Sequence, residues 1–407
     1  MSDSIEDLFD ANRIDTMAKR VAKLSDEELA DLPSAAVDLC VDALSQCGRA
    51  MQAGRLFERA QDAGHTLALP LACAQALFEA GNTKRAKGVL RNWRAPEPLR
   101  PPPLVAQAQA LMRFGEWSAA LQVLRPAAAT FPDNALLARL IGQCALWDGH
   151  RKAAQEALEQ AAALDPAQPA WVWRALAALN GRRMETGGLS LTLPAQKISP
   201  ATIAGLASGQ YERHEREAAL ADLRDGDRVL ELGAGIGAMA MWISQARPDL
   251  SVTCVEGNPE LAPLILQNFE VNRCGATLIE GLAALHDGEQ TFYVSDDFWA
   301  SSTRQPDASA QAVRLPCIDV RRLLAETHPT ILIVDIEGAE AEILPALDLS
   351  GVRRVIVEVH PKLIDPPQVS KVLHSLFQAG FDIDLTRDRG DVYVFDRAAP
   401  EGHDQSD

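Results

Sequence analysis

Two short runs place ionisable side chains where reactive groups commonly sit. The run "IVDIEGAEAEIL" (residues 333–344) closes an apolar, β-rich stretch with Asp335, and Glu337 follows in the turn before a helical pattern. The run "VIVEVHP" (residues 355–361) carries Glu358 and His360 two positions apart, which puts them on one face of a strand. An imidazole titrates at about pH 6.5, so His360 suits a general base, with Asp335 as an orienting carboxylate or a ligand contact. Glu337 would hold the loop or take the place of His360. The same four side chains, Asp335, Glu337, Glu358 and His360, could instead hold Mg²⁺ or Mn²⁺, because oxygen-rich sets suit hard cations. A purely structural reading is a carboxylate–histidine pair that stitches strand ends together.

A third run, "VLELGAGIGAMAMWI" (residues 229–243), supplies a place for a ligand. Gly233, Ala234, Gly235 and Gly237 follow a strand and open a helix, where glycine permits a sharp bend and close approach of a ligand. The spacing satisfies the loose dinucleotide fingerprint, and it also fits S-adenosylmethionine or a tight turn with no ligand. Glu231 precedes the first glycine by two residues. A carboxylate there favours a ligand with an ammonium group over one whose pyrophosphate must meet helix N–H groups. Glu256 ends the next strand, ahead of Gly257, where an acidic side chain can take both ribose hydroxyls of either cofactor.

These residues need a rigid frame, and the second half of the chain has the grammar of one. "RVLEL", "SVTCVE", "ATLIE", "TILIVD" and "RVIVEV" alternate with amphipathic helical runs, which predicts a mostly parallel sheet covered by helices on both faces. "FDIDL" and "DVYVFD" read as a terminal antiparallel hairpin. The first half is different. Gly81, Gly115 and Gly149 recur every 34 residues, as do Pro98, Pro132 and Pro166. The small residues Ala74, Ala108 and Gly142 share one repeat position, Ala86, Ala120 and Ala154 another, and Leu90, Leu124 and Leu158 a third. Small residues let paired helices approach and leucines fill the space between units, so this half is expected to be an all-α helical repeat domain. An earlier unit around Gly48 fits after a one-residue slip. The expected organisation is a repeat domain over 1–180, a linker over 181–200, an α/β domain over 201–397 and a frayed tail over 398–407.

Bulk composition narrows the partners. A formal charge of −17 over 407 residues offers a polyanion no general attraction, so nucleic acid is not expected. The chain has no apolar run of bilayer length, and its acidic start lacks the features of a secretion signal. Seven dispersed cysteines without metal-ligand spacing fit a reducing, cytosolic setting.

The first half resembles the tetratricopeptide repeat over about residues 67–166, which implies a groove for a protein or peptide partner, or a plain scaffold. From about residue 189 to residue 396 the chain resembles the FkbM-type class I methyltransferases. The resemblance rests on "GQYERHE" (209–215), "ELGAGIG" (231–237), "LPCIDVRRLL" (315–324), "IVDIEGAEAEIL" and "VIVEVHP". The chain departs from the family where Asp and Asn are usual, carrying Glu231 and Gly235.

This resemblance implies a Rossmann-like domain with a seven-stranded, mostly parallel sheet. It implies methyl transfer from S-adenosylmethionine, most often to a hydroxyl of a sugar or secondary-metabolite-like acceptor. It also implies that Tyr211 and Glu212 cover the methionine end of the cofactor. At the end of the third strand, Gly281 and Leu282 would meet the adenine. Phe298 and Trp299 would form an acceptor wall or fill the core. Because such transfer does not demand a metal, the divalent-cation reading is the less favoured one. Two alternatives stay open: an interaction scaffold with an inactive methyltransferase half, and a nicotinamide-dependent oxidoreductase.

Overall fold

The computed structural model describes residues 14–95, 100–193, 198–294, 311–336, 338–361, 363–387 and 390–397. The chain divides into two compact units, Met1–Gln168 and Pro169–Asp407. The first is built of helix pairs, and its repeat landmarks do the same work in each pair. Gly81, Gly115 and Gly149 follow the helices Leu71–Glu79, Pro101–Arg113 and Ala135–Trp147, with φ of 76°, 69° and 81°. In each case the next N–H reaches back to close the helix: Asn82 to the Leu77 carbonyl at 2.8 Å, Glu116 to Leu111 at 3.0 Å and His150 to Ala145 at 2.7 Å. The left-handed glycine stops one helix and launches its partner. Gly48 repeats the device, with Arg49 donating to the Leu44 carbonyl at 2.8 Å, and accounts for the slipped first unit.

The small residues and leucines named above are all buried. Gly142 marks a close approach between the helices Ala135–Trp147 and Arg151–Leu164. A Cβ there would lie 2.6 Å from Leu158 Cγ and 3.2 Å from its backbone nitrogen. We therefore expect Gly142→Ala to destabilise the protein by about 1–3 kcal/mol despite alanine's better helix propensity, because overpacking outweighs the propensity gain. A lowered urea midpoint would show it, and an unchanged or raised one would contradict it.

The helix Ala170–Leu179 reads in sequence as the close of the repeats, yet it lies in the second unit. It packs on the helix Pro200–Ser208 and on strand β1 (Met184–Thr186), and Arg174 Nε donates to the Ala207 carbonyl at 2.7 Å. The compact boundary therefore falls after Gln168, ahead of the sequence boundary at residue 180. What reads as a linker contains a hairpin: β1 pairs antiparallel with β2 (Leu189–Leu191) around Gly187 and Gly188, both at positive φ.

The remaining strands are β3 (Arg228–Leu232), β4 (Ser251–Glu256), β5 (Thr277–Glu280), β6 (Leu282–Ala284) and β7 (Gly288–Val294). They are followed by β8 (Gln311–Asp319), β9 (Ile331–Val334), β10 (Arg354–Glu358), β11 (Phe381–Ile383) and β12 (Val392–Arg397). Seven of them form one sheet in the order β11-β12-β10-β9-β3-β4-β5. The run from β10 to β5 is parallel, and β11 and β12 are the antiparallel hairpin read from the sequence. A second sheet, β6-β8-β7, is not legible in the sequence pattern. One face of the large sheet carries Leu230, Leu232, Leu332, Val334, Val355 and Val357 into a core with the helices Val320–Thr327 and Pro366–Gln378. No helix among the described residues is long and apolar enough to cross a membrane.

Candidate active site

The opposite face of the sheet carries the acids. Glu231 is paired across the ladder with Cys254 of β4 and Ile333 of β9, and Ile333 is paired with Ile356 of β10. Advancing two residues keeps a side chain on the same face. That step reaches Glu256 on β4, Asp335 just past β9, and Glu358 at the end of β10. Four adjacent parallel strands thus each turn one carboxylate to one face at their carboxyl ends, where open α/β sheets take ligands. Glu231 sits one step deeper than the other three and is 3% exposed.

The segment ahead of the glycine strand closes over this face. Tyr211 is buried, and Glu212 begins the helix Arg213–Leu220 in a left-handed conformation, φ 43° and ψ 38°. Left-handed backbone costs a non-glycine residue about 1–2 kcal/mol, so the surrounding structure must hold Glu212 there. Burial pushes its carboxyl up to about 8; Glu215 and Glu358 add to this, while the Tyr211 hydroxyl and Arg216 oppose it. Burial also holds Glu231 well above the usual carboxylate range, reinforced by the negative charges of Glu212, Asp335 and Glu256. Glu256 is pushed up to about 7 by burial, against backbone N–H groups of Asn258, Gly235, Gly257 and Ala234 that stabilise its charge. Among the described residues no Lys or Arg forms an ion pair with Glu231 or Glu256, and Glu231 Oε2 is buried without a hydrogen-bond partner.

His360 lies two residues beyond β10 and is pinned by its carbonyl, which accepts from Leu363 at 2.8 Å and Ile364 at 3.0 Å. Its Nε2 is 3.4 Å from Asp335 Oδ1 and 4.0 Å from Glu358 Oε1. One ligand atom from each of Asp335, Glu358 and His360 falls within a 4.8 Å cluster, a spacing that could also admit a cation. The sequence assigns the orienting carboxylate to Asp335, but among the described residues the acid closest to the ring is Glu340. Its Oε1 lies 2.7 Å from His360 Nδ1. Sequence reasoning passes over Glu340 because the run "AEAEIL" offers two glutamates on a short helix, and nothing local tells which turns inward.

Two glycines of the turn make room for neighbouring elements. A Cβ on Gly233 (φ 89°) would lie 1.7 Å from the Asp335 carbonyl oxygen, so the missing side chain admits the neighbouring strand end. A Cβ on Gly237 would meet Ile265 and Phe269 at 2.8 Å, in the helix Ala262–Asn272. The Gly235 N–H donates to Glu256 Oε2 at 2.8 Å, and the Asn258 N–H donates to Oε1 at 2.7 Å. Gly233→Ala should therefore damage the protein without any ligand. We expect a loss of about 2–5 kcal/mol from left-handed strain and overlap together, or failure to fold, read from urea unfolding of the ligand-free protein. Unchanged ligand-free stability would return the residue to a ligand-facing role.

Gly281 (φ 152°) joins β5 to β6, and Leu282 lies over Gly257, where a Cβ would come within 2.5 Å of Leu282 Cδ2. The structure thus gathers Tyr211, Glu212, Glu231, Glu256, Asp335, Glu358 and His360 at the sheet rim, with Gly257, Gly281 and Leu282 beside Glu256. Glu337, Phe298 and Trp299 lie outside the described residues, as do Pro98 and the tail 398–407.

Residues 233–383 match the family model described as the methyltransferase FkbM domain, and residues 111–179 match that of a tetratricopeptide repeat. Among curated proteins, a tRNA1(Val) (adenine(37)-N6)-methyltransferase of a Flavobacteriaceae bacterium (strain 3519-10) is 32% identical over 80 residues, 20% of this chain. The chain spans 33% of the length of that relative. Among solved structures it is similar to precorrin-6y C5,15-methyltransferase from Geobacter metallireducens GS-15, at 15% identity, covering 46% of this chain and 87% of that one, with a TM-score of 0.29. It is also similar to M. jannaschii TYW2 in complex with AdoMet, at 14% identity, covering 53% and 86%, with a TM-score of 0.29. The chain therefore carries an FkbM methyltransferase domain over residues 233–383 and a tetratricopeptide repeat over residues 111–179.

Proposed function

We propose that the second unit binds S-adenosylmethionine and methylates a hydroxyl of a small-molecule or glycan-like acceptor, while the helical repeats dock a protein or peptide partner. The observation that carries this reading is the rim of carboxylates on one sheet face, where buried Glu231 has no Lys or Arg partner among the described residues. Charges of one sign at such closeness call for a positive ligand. S-adenosylmethionine bears a sulfonium and an ammonium against a single carboxylate, and it supplies a methyl carbon already activated for displacement. Glu231 would take the ammonium and Glu256 the ribose hydroxyls, for which its oxygens keep acceptor capacity beyond two backbone bonds. Tyr211 and Glu212 would close the methionine end, and Gly281 and Leu282 would meet the base. His360 would accept the acceptor's hydroxyl proton at Nε2, with Asp335 beside it. A dinucleotide is disfavoured because the Gly235 N–H, which a pyrophosphate would need, is already donated to Glu256.

The acids give this reading a pH signature. Glu212 and Glu256, at about 8 and about 7, keep protons in the folded protein where an unfolded chain, at about 4.5, has released them. A raised carboxyl pKa means that ligand-free stability falls as pH rises from about 4.5 through about 8. A cationic ligand favours the ionised forms, so affinity should rise with pH across the upper part of that window, about tenfold per pH unit for each proton released. Calorimetry in buffers of different ionisation enthalpy would count the released protons. Proton uptake, or none, would argue against the cation cradle.

A second reading is favoured by the cluster of Asp335, Glu358 and His360, which could hold Mg²⁺ or Mn²⁺ beside the acceptor. Mn²⁺ titration followed by electron paramagnetic resonance separates the two. The deciding experiment for the main reading is thermal shift with S-adenosylmethionine, its demethylated product and NAD. Stabilisation by NAD and by neither sulfur nucleoside would replace the methyltransferase with the oxidoreductase.

A further inference from the structure

We infer that Glu340 is the positioning residue of the site: it fixes the proton of His360 on Nδ1 and so turns a basic Nε2 toward Asp335 and Glu358. This rests on the reading of His360 as the proton acceptor. Glu340 is fully buried at the start of the short helix Glu340–Ile343, and its Oε1 faces two groups. The Gly338 N–H donates to that oxygen at 3.2 Å, and His360 Nδ1 lies 2.7 Å from it. Because Oε1 already acts as an acceptor toward the Gly338 N–H, the short contact is read as a second donation to it and places the proton on Nδ1. With Nδ1 occupied, a neutral ring has its lone pair on Nε2, the nitrogen 3.4 Å from Asp335 Oδ1. When Nε2 takes the acceptor's hydroxyl proton, the oxygen–carbon bond forms as the sulfonium's carbon–sulfur bond breaks and the thioether product leaves. The resulting imidazolium is held between Glu340 on one side and Asp335 and Glu358 on the other. The partner of the ring thus sets both its tautomer and the stability of its charged form.

The geometry also explains why the sequence holds the residue there. Gly338 has a φ of 98°, and a Cβ on it would lie 3.1 Å from Leu363 Cβ. The turn therefore packs against the segment that follows His360, which the His360 carbonyl anchors through Leu363 and Ile364. The two runs that carry the site are tied back to back, with the Glu340–His360 contact between them.

The test is the imidazole ¹⁵N spectrum of the ligand-free full chain, selectively labelled at its eight histidines, with His360 assigned by its disappearance in His360→Gln. The neutral ring should show Nδ1–H in the parent. In Glu340→Leu the proton should move to Nε2, which sits between two carboxylates. Glu340→Gln, whose amide oxygen can still accept from Nδ1, should retain the parent tautomer. Where methyl transfer is measurable, Glu340→Leu should lower kcat about 10–100-fold and alter the pH–rate profile, with S-adenosylmethionine affinity unchanged. A parent spectrum with Nε2–H overturns the inference at once, even if no variant folds. An unchanged tautomer in a folded Glu340→Leu also overturns it. If the tautomers behave as expected but the parent transfers no methyl group, the proposed function fails and the positioning role stands.

Discussion

His360→Ala should lower kcat by about 10²–10⁴-fold and leave the dissociation constant for S-adenosylmethionine within about threefold of the parent. The expectation follows from where the ring sits. It is 15% exposed, anchored through its carbonyl, and held between Glu340 and Asp335. A hydroxyl is a weak nucleophile until its proton has somewhere to go, and removing the imidazole removes that destination without touching the glycine turn or Glu256. Isothermal titration with the cofactor, paired with turnover on an accepted substrate, separates the two effects. Equal loss of binding and turnover would make His360 a structural tie. Unchanged turnover would move the base to Glu358 or Asp335. A parent that binds its partner yet shows no turnover with any hydroxyl acceptor would favour the scaffold.

Glu231→Gln should weaken S-adenosylmethionine binding by about 2–5 kcal/mol, roughly thirtyfold or more, because it removes a buried charge from a desolvated pair. The demethylated product should weaken to a similar degree, since it keeps the ammonium that Glu231 is proposed to hold. A loss confined to the sulfonium form would move the contact from the ammonium to the sulfur. The same substitution should not harm the ligand-free protein. Burial and the charges of Glu212, Asp335 and Glu256 oppose ionisation of Glu231, so a neutral amide should leave ligand-free stability equal or higher at pH 8. Opposite signs for stability and affinity are the mark of a group kept for its ligand. A variant that loses both would make Glu231 part of the core.

Much of this arrangement was open to reading in the chain alone. The 34-residue recurrence of Gly81, Gly115 and Gly149 marks the helix turns because left-handed φ is a local demand that glycine meets. The five parallel strands of the main sheet are visible as apolar runs, since a parallel strand covered on both faces needs little beyond β-branched and aliphatic residues, and β11 and β12 are visible as a hairpin. Glu231, Glu256, Asp335, Glu358 and His360 stand out because each ionisable group ends or follows such a run, where apolar pattern gives way to chemistry.

What the pattern leaves out is long-range. The sheet β6-β8-β7 has weak local signals, and the packing of Ala170–Leu179 on Pro200–Ser208 joins segments that no local pattern links. Gly233 reads as a ligand cushion in sequence, although the atom it must avoid is the Asp335 carbonyl oxygen, about a hundred residues away in the chain. The fold also buries Tyr211 and holds Glu212 in left-handed backbone, neither of which a local pattern shows.

Local sequence thus determines the elements, their order and the residue types that end each strand, because propensity and alternation act over a few residues. The tertiary structure alone decides that four carboxylates share one face and that Glu340 lies closer to His360 than Asp335 does. Register between strands far apart in the chain sets those distances, and no spacing along the sequence encodes it.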